Sequence, residues 1–325
     1  MHQTCQYRIR LPLIDICPIP QDNNPMSSRI DRYYASLNIP KNKTIVITGG
    51  NSGVGFATAK HLAKSHWNII LAVRSLTRGK EAMRQILFLY PEVNIRLMEL
   101  DLSSKESVAS FIAQIKEEQI DIDVFYCNAG IYRMPYAPLY HDIESHMAVN
   151  CVSNYLLYQG LKDYLYTLPH PVKWILTSSI VARLAKISPK DLYMKDHYDK
   201  RDAYNKSKLA VNYLYLDICK KEEGTNLIPL LVHPGVTYTP LIAKAYGRHR
   251  FLMKMMRLFR LFTHKPEVAA LSTCYLVQEE IDKPCFCGPR GPFHISGYPK
   301  VYPLYQRNIK DVDGFMDAIA KAIID

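Results

Sequence analysis

Apolar and polar positions along the chain change their pattern at about residue 43. Beyond it, short apolar runs rich in β-branched residues recur: "TIVIT" (44–48), "NIILAV" (68–73), "NIRLME" (94–99), "IDVFYC" (122–127), "VKWILT" (172–177) and "LIPLLV" (227–232). Between them lie longer segments, such as 55–66, 104–118, 143–165 and 202–222, whose apolar residues recur at three and four. Continuous apolar runs suit strands buried on both faces, and three-to-four spacing suits amphipathic helices. Their alternation predicts a single doubly wound α/β domain over 43–325, a parallel sheet with helices on both faces. Near the C-terminus Val312, Phe315, Met316, Ile319 and Ile323 fall on one stripe, predicting a docked terminal helix.

Residues 1–42 lack this pattern, and Pro12, Pro18, Pro20, Pro25 and Pro40 interrupt them. They are expected to form an irregular N-terminal extension. The apolar stretch in "RIRLPLIDICPIP" is broken by Pro12, Asp15 and Pro18 and makes a poor signal peptide. No apolar run approaches the roughly 20 residues of a membrane-spanning helix. A cytoplasmic protein is expected.

The first run leads into "TIVITGGNSGVGFATAKHLA", a glycine-rich turn between a strand and an amphipathic helix. Gly49, Gly53 and Gly55 let the backbone turn sharply and approach a pyrophosphate seated at the helix N-terminus. A tight turn serving packing alone is the plainer alternative. At the end of the second run, "LAVRSLTRGK" places Arg74, with Arg78 and Lys80 behind it, where an acidic residue would hold the ribose hydroxyls of NAD. A cation there suits a 2′-phosphate and favours NADP(H). A solvated basic helix start is the competing account, above all for Lys80.

Composition changes this picture little. The 325 residues, 48% of them hydrophobic, suffice for a sizeable core, and the net charge of +11 favours anionic partners. Eight cysteines include no CxxC pair, which suits free thiols in a reducing compartment and no metal site. In "YNKSK" (204–208), Tyr204 and Lys208 share one helical face, and an ammonium there would stabilise a tyrosinate. Alone, that pair is weak evidence.

Taken in order, the motifs from about residue 43 to about 300 resemble those of the short-chain dehydrogenase/reductases, and within them the retinol-dehydrogenase-like group. The TGxxxGxG motif stands as "TGGNSGVG" (48–55), the aspartate after the third strand as Asp101 in "LDLSS", and NNAG as "CNAG" (127–130). "AVNCVSNYLL" supplies Asn150, "WILTSSIVARLAK" supplies Ser179, and "AYNKSKLA" supplies Tyr204 and Lys208. "VHPGVTYTPL" matches the segment beside the nicotinamide. The resemblance implies a Rossmann fold with a mainly parallel seven-stranded sheet. It implies cofactor contacts from Gly49, Asn51, Ser52, Gly53, Val54, Gly55, Arg74, Asp101, Leu102, Asn128, Ala129, Gly130, Tyr204, Lys208, Pro234, Gly235 and Thr239.

The resemblance also implies the catalytic roles. Tyr204 exchanges a proton with the substrate oxygen, and Lys208 holds the nicotinamide ribose and lowers the Tyr204 pKa. Ser179 bonds the substrate oxygen, and Asn150 organises a water leading to Lys208. Ser178 is the alternative register for the serine. Two departures stand out. Tyr204 follows Ser179 by 25 positions, about twice the separation in typical members, and "CVSN" follows Asn150 where the group has a Gly–His pair.

Between Glu223 and Glu267 there is no acidic residue, while Lys244, Arg248, Arg250, Lys254, Arg257, Arg260 and Lys265 crowd the same stretch. Within it "FLMKMMRLFRLF" (251–262) is amphipathic. Around 240–265 a substrate lid is expected, its Met, Phe and Leu content pointing to a lipophilic substrate. A helix lying in an anionic membrane surface, or one packed on the core with a solvated basic face, fits the same pattern. "CGPRGPFHISGYPKVYP" (287–303), with its short "FHIS" run, is expected to supply the seventh strand and a tail closing the substrate side. His233 and His294 lack metal-ligand company and suit core or surface roles. No motif supports nucleic-acid binding, and a homo-oligomer stays open.

The expected function is an NADP(H)-dependent oxidoreductase interconverting a carbonyl and an alcohol on a retinoid-, steroid- or lipid-like substrate. A reductase of small-metabolite or polyketide-type ketones, and a non-catalytic cofactor-binding regulatory protein, are the alternatives.

Overall fold

All six apolar runs form strands in the computed structural model, which describes residues 25–196, 198–237, 265–304 and 308–324. They are β1 (Thr44–Thr48), β2 (Asn68–Val73), β3 (Ile95–Glu99), β4 (Val124–Cys127), β5 (Val172–Thr177) and β6 (Leu227–Val232). With β7 (Cys285–Pro289) and β8 (Pro299–Tyr302) they make, among the described residues, an eight-stranded sheet in the order β8-β7-β6-β5-β4-β1-β2-β3. Seven strands run parallel. The eighth is an antiparallel edge, Val301 facing Cys287, so the expected seven-stranded sheet is one strand short.

The strand expectation near the C-terminus needs correction. The seventh strand starts ahead of the "FHIS" run, at Cys285, and Pro292–His294 forms a single 3-10 turn. Pro292 at its start withholds an N–H from any ladder, and His294 sits at φ 58, outside the strand region.

Alternate residues of the strands feed two cores. Val46, Phe125, Trp174 and Leu176 face one side, where α4 (Lys105–Glu117), α5 (Ser153–Tyr166), α6 (Lys200–Lys221) and α8 (Val312–Ala322) cover them. Ile45, Ile47, Tyr126 and Ile175 face the other, beneath α1 (Pro25–Ala35), α2 (Gly53–Ala63), α3 (Leu76–Leu89) and α7 (Pro266–Leu276). This two-sided burial is why the strands read as apolar throughout. The predicted terminal stripe behaves as expected: Phe315, Met316 and Ile319 are buried, and Phe315 meets Tyr213 of α6 edge-on at 5.3 Å.

The extension is not irregular over Pro25–Ala35. Ile30 and Tyr34, four apart and therefore on one helical face, are both buried. Tyr34 stacks on His61 with 5.2 Å between ring centres and shares a 2.8 Å hydrogen bond with Ser65. Residues 1–24 and the lid stretch 240–264 lie outside the described residues. Another difference concerns 143–165, expected as one helix. A two-residue ladder (Pro138–Leu139 with Ile143–Glu144), a short turn (Ser145–Met147) and a π-helical turn (Ala148–Val152) precede α5.

Candidate active site

The strand order reverses at β1. The chain leaves it for β2 and β3 on one side, then returns to β4 on the other, which opens a crevice at the C-terminal ends of β1 and β4. The glycine loop follows β1 there, and Asn128–Gly130 follows β4. Thr48 Oγ1 ties them together by accepting from the N–H groups of Asn128 (3.0 Å) and Ala129 (2.9 Å). Asn128 Nδ2 donates back to Thr48 O at 2.8 Å. Gly49 and Gly53 adopt φ 66 and 58, and a Cβ on Gly55 would lie 2.4 Å from Asn128 Nδ2. Only glycine fits this approach.

The residues present fit a dinucleotide. Ser52 caps α2 without a side-chain bond to it, so the amides of the first turn face the crevice unclaimed by that residue. Asn51 is half-buried and Ser52 exposed beside the buried Val54 and Gly55. Arg74 is exposed one residue past β2. Asp101, past the adjacent β3, spends Oδ1 on the N–H (2.9 Å) and hydroxyl (2.6 Å) of Ser103, and Leu102 beside it is buried. After β6, Pro234 and Gly235 turn along the same rim, with Gly235 at φ 71 and its N–H on His233 Nδ1 at 3.1 Å. Thr239 lies outside the described residues.

Four side chains meet at the far wall of the crevice. Asp199 caps α6 by accepting from the N–H groups of Arg201 and Asp202, which sets Tyr204 one turn into the helix and Lys208 one turn further. Lys206 points elsewhere, to Asp191 and Asp202 at 2.8 Å each. Ser179, two residues past β5, lies close enough to Tyr204 for its side chain to favour the phenolate, and both keep part of their surface accessible. Ser178 is buried and donates to Asn212 Oδ1 at 2.5 Å. Lys208 is 5% exposed, donates to Thr177 O at 2.8 Å and holds Nζ 6.0 Å from the Tyr204 ring centre.

Asn150 lies in the π-helical turn and is fully buried. Its Oδ1 accepts from the Ile131 N–H (2.8 Å), and its Nδ2 donates to Ile131 O (3.1 Å) and Ser207 Oγ (2.9 Å). A Cβ on Gly130 would come 2.8 Å from Asn150 Oδ1 and 3.7 Å from Lys208 Nζ, so the loop after β4 is packed onto both.

Burial works against both charged forms. Desolvation pushes the Tyr204 phenol up to about 12 while the neighbouring Ser179 hydroxyl pulls the other way. Desolvation brings the Lys208 ammonium down to about 8, with the neighbouring Cys151 opposing it. The expected lowering of the Tyr204 pKa by Lys208 is therefore not found. At about 6 Å, with Nζ turned to a peptide carbonyl, the ammonium offsets too little of the desolvation penalty.

Sequence reading missed four residues beside Tyr204. Glu144 and His146 are both fully buried and paired at 2.8 Å, Tyr198 reaches them, and Tyr132 lies edge-on to Tyr204 with ring centres 4.6 Å apart. No local signal marks Glu144 and His146: "HDIESHM" holds four ionisable residues, His141, Asp142, Glu144 and His146, and only two apolar ones. Among the described residues there is no His, Cys, Asp or Glu group fit for a metal ion.

Comparison with known proteins bears on this arrangement. The profile of the short chain dehydrogenase family matches residues 43–248. Retinol dehydrogenase 13 of Homo sapiens is 32% identical over 248 residues, spanning 74% of this chain and 73% of its own. Retinol dehydrogenase 12 of Bos taurus is 31% identical over 221 residues, spanning 68% and 67%. A crystal structure of an uncharacterised protein from Mycobacterium paratuberculosis superposes with a TM-score of 0.71 at 25% identity, covering 90% of this chain and 97% of that one. Fold, crevice and a family profile spanning more than half of the sequence agree: the chain belongs to the short-chain dehydrogenase family of oxidoreductases.

Proposed function

We propose that this protein is an NADP(H)-dependent oxidoreductase that interconverts a carbonyl and an alcohol on a lipophilic substrate, using Ser179, Tyr204 and Lys208. The observation that carries the reading is the placement of Ser179 beside Tyr204, with Lys208 one turn along α6, at the rim where the glycine loop and Asn128–Gly130 meet. A bound nicotinamide dinucleotide supplies the hydride chemistry. Tyr204 and Ser179 present two hydroxyls to one substrate oxygen. Because burial keeps the phenol protonated near neutral pH, Tyr204 is set to give its proton to the oxygen of a carbonyl being reduced. Lys208 and Asn150 complete the wall behind it, where Asn150 fixes the loop carrying Gly130.

Arg74 at the end of β2 supports NADP(H), since a guanidinium there complements a 2′-phosphate. Relatives named for retinol dehydrogenation, together with the Met- and Phe-rich lid sequence, support a lipophilic alcohol or aldehyde as the substrate. Among the described residues no helix is long and apolar enough to cross a membrane. Contact with a membrane surface through 251–262 is an extension of the same reading.

Turnover of a panel of retinoid aldehydes, steroid ketones and short ketones, each with NADPH and NADH, tests the proposal. Tyr204→Phe is expected to lose at least about 100-fold in turnover while fluorescence titration shows NADPH still bound. Retention of more than about a tenth of the activity would remove Tyr204 from the role. Arg74→Ala is expected to cost roughly 1.5–3 kcal/mol of NADPH affinity and to leave NADH nearly alone. Equal constants for the two cofactors in the wild type would rule out the NADP(H) preference.

A further inference from the structure

Two side chains outside the proposed catalytic set converge on one residue of the loop beside Tyr204, and a third, Glu144, backs them both. Met134 has its N–H on His146 Nε2 at 3.1 Å and its carbonyl 2.9 Å from the Tyr198 hydroxyl. Since Nε2 accepts there, the ring proton of His146 sits on Nδ1, directed at Glu144 Oε1 at 2.8 Å. Tyr198 also lies 3.0 Å from Glu144 Oε1. Glu144 collects further bonds from the N–H groups of His146 (2.8 Å) and Met147 (3.1 Å) and from Ser145 Oγ (3.1 Å).

Capping the short turn after Glu144 accounts for the two backbone bonds. It does not account for an imidazole on a carboxylate with no exposed surface, or for a phenol whose one proton is shared between that carboxylate and Met134 O. Burial alone would raise this carboxyl, but the bonds to His146 and the backbone amides outweigh it and hold it below the ordinary value. A buried ion kept at such cost is retained for what it positions.

What it positions is the stretch from Ile131 to Met134. Asn150 grips the N–H and carbonyl of Ile131, His146 and Tyr198 grip Met134 with Glu144 behind them, and Tyr132 between the two grips is held against the Tyr204 ring. Tyr198 comes from the long stretch between Ser179 and Tyr204, which is fixed by Lys206 on Asp191 and Lys195 on Asp142, at 2.8 Å each.

We propose that Glu144, His146 and Tyr198 are positioning residues for the reaction. They clamp Met134 on both sides of its backbone and thereby hold Tyr132 as the substrate-side wall beside Tyr204. The extra length between Ser179 and Tyr204 delivers Tyr198, the second jaw of that clamp. This inference rests on Tyr204 being the acid–base group, and its test includes a measurement that needs no substrate.

Compare His146→Leu, which removes both ring nitrogens, with His146→Gln, whose amide again offers one acceptor and one donor. His146→Leu is expected to lower kcat/KM at least tenfold with NADPH binding unchanged, and His146→Gln to recover most of the loss. Equal activity of the two variants, whether high or low, overturns the proposal, because packing alone would then explain the site. Tyr198→Phe covers the case in which the histidine variants fail to fold. Its ring still meets Tyr136 edge-on, while the hydroxyl is gone. Amide hydrogen exchange at 131–136 is expected to accelerate at least tenfold in Tyr198→Phe, with kcat/KM falling at least threefold. Unchanged exchange, or faster exchange with unchanged kcat/KM, overturns the clamp. An active Tyr204→Phe, by contrast, sinks the acid–base assignment whatever the exchange result.

Discussion

Ser178 and Ser179 follow β5 in succession, yet one hydroxyl is buried on Asn212 and the other lies beside Tyr204. Ser179→Ala is expected to lower kcat at least tenfold with urea unfolding near the wild type. Ser178→Ala is expected to cost about 1–2 kcal/mol of stability for a buried acceptor left unmatched, and to keep most of kcat. The reverse pattern would move the catalytic role to Ser178. Lys208 makes a second prediction, on stability. Its ammonium titrates near 8 in the folded protein, against an ordinary value of 10.5, so between those values the unfolded chain binds the extra proton. Stability contributed by this group therefore rises with pH across that window, by up to about 3 kcal/mol. Unfolding of wild type and Lys208→Met at pH 7.5 and 10 should show that gain in the difference between them. Parallel curves would mean that Lys208 is not desolvated. The types and spacing of Tyr204 and Lys208 were legible because one helical turn relates them. Glu144 and His146 were not, because what makes their burial tolerable is Tyr198, which arrives from a distant stretch.

At the scale of elements, the six parallel strands were readable because burial on both faces leaves an unbroken apolar run. Pro299–Tyr302 carries no such mark. It is an edge strand whose Lys300 and Val301 face solvent, so its pairing to β7 is set by the turn before it. The π-helical turn at Asn150 was equally silent, since the local pattern of apolar residues is that of an ordinary helix. Among the residues of α1 whose burial is described, Ile30 and Tyr34 are the buried pair, too few for periodicity to announce the helix. The terminal helix α8 was announced by its stripe, and its docking gives a further prediction. Phe315→Ala should cost about 3–5 kcal/mol in urea unfolding, as expected for deleting a fully buried ring. Asp313→Ala, which breaks a 2.9 Å but exposed pair with Lys220, should cost less than about 1 kcal/mol. A larger loss from Asp313→Ala would show that charge rather than the apolar stripe docks the helix.

Over the whole molecule, residues on both sides of the family-matched stretch support the crevice. The cofactor-side helix α2 is backed by α7, where Val54 and Ala57 meet Ala269 and Ala270, side chains small enough to let the two helices close. Asn38, past the end of α1, donates its N–H to Gln278 Oε1 at 2.9 Å, and Trp67 Nε1 donates to Pro40 O at 2.6 Å. The position of β7 has a consequence for synthesis on the ribosome. β6 is finished at Val232 and pairs with β5 on one side, but the strand that covers its other edge begins only at Cys285, and the helix that backs α2 only at Pro266. During the roughly fifty intervening residues, some 3–10 s at ordinary elongation rates, the emerging chain carries a parallel strand edge with no neighbour and an uncovered face on the glycine-loop helix. Both are surfaces to which another nascent chain can add. A cell making this protein has reason to keep a chaperone at the exit tunnel until the last strands are out, and slower translation across 233–284 should raise the aggregated fraction.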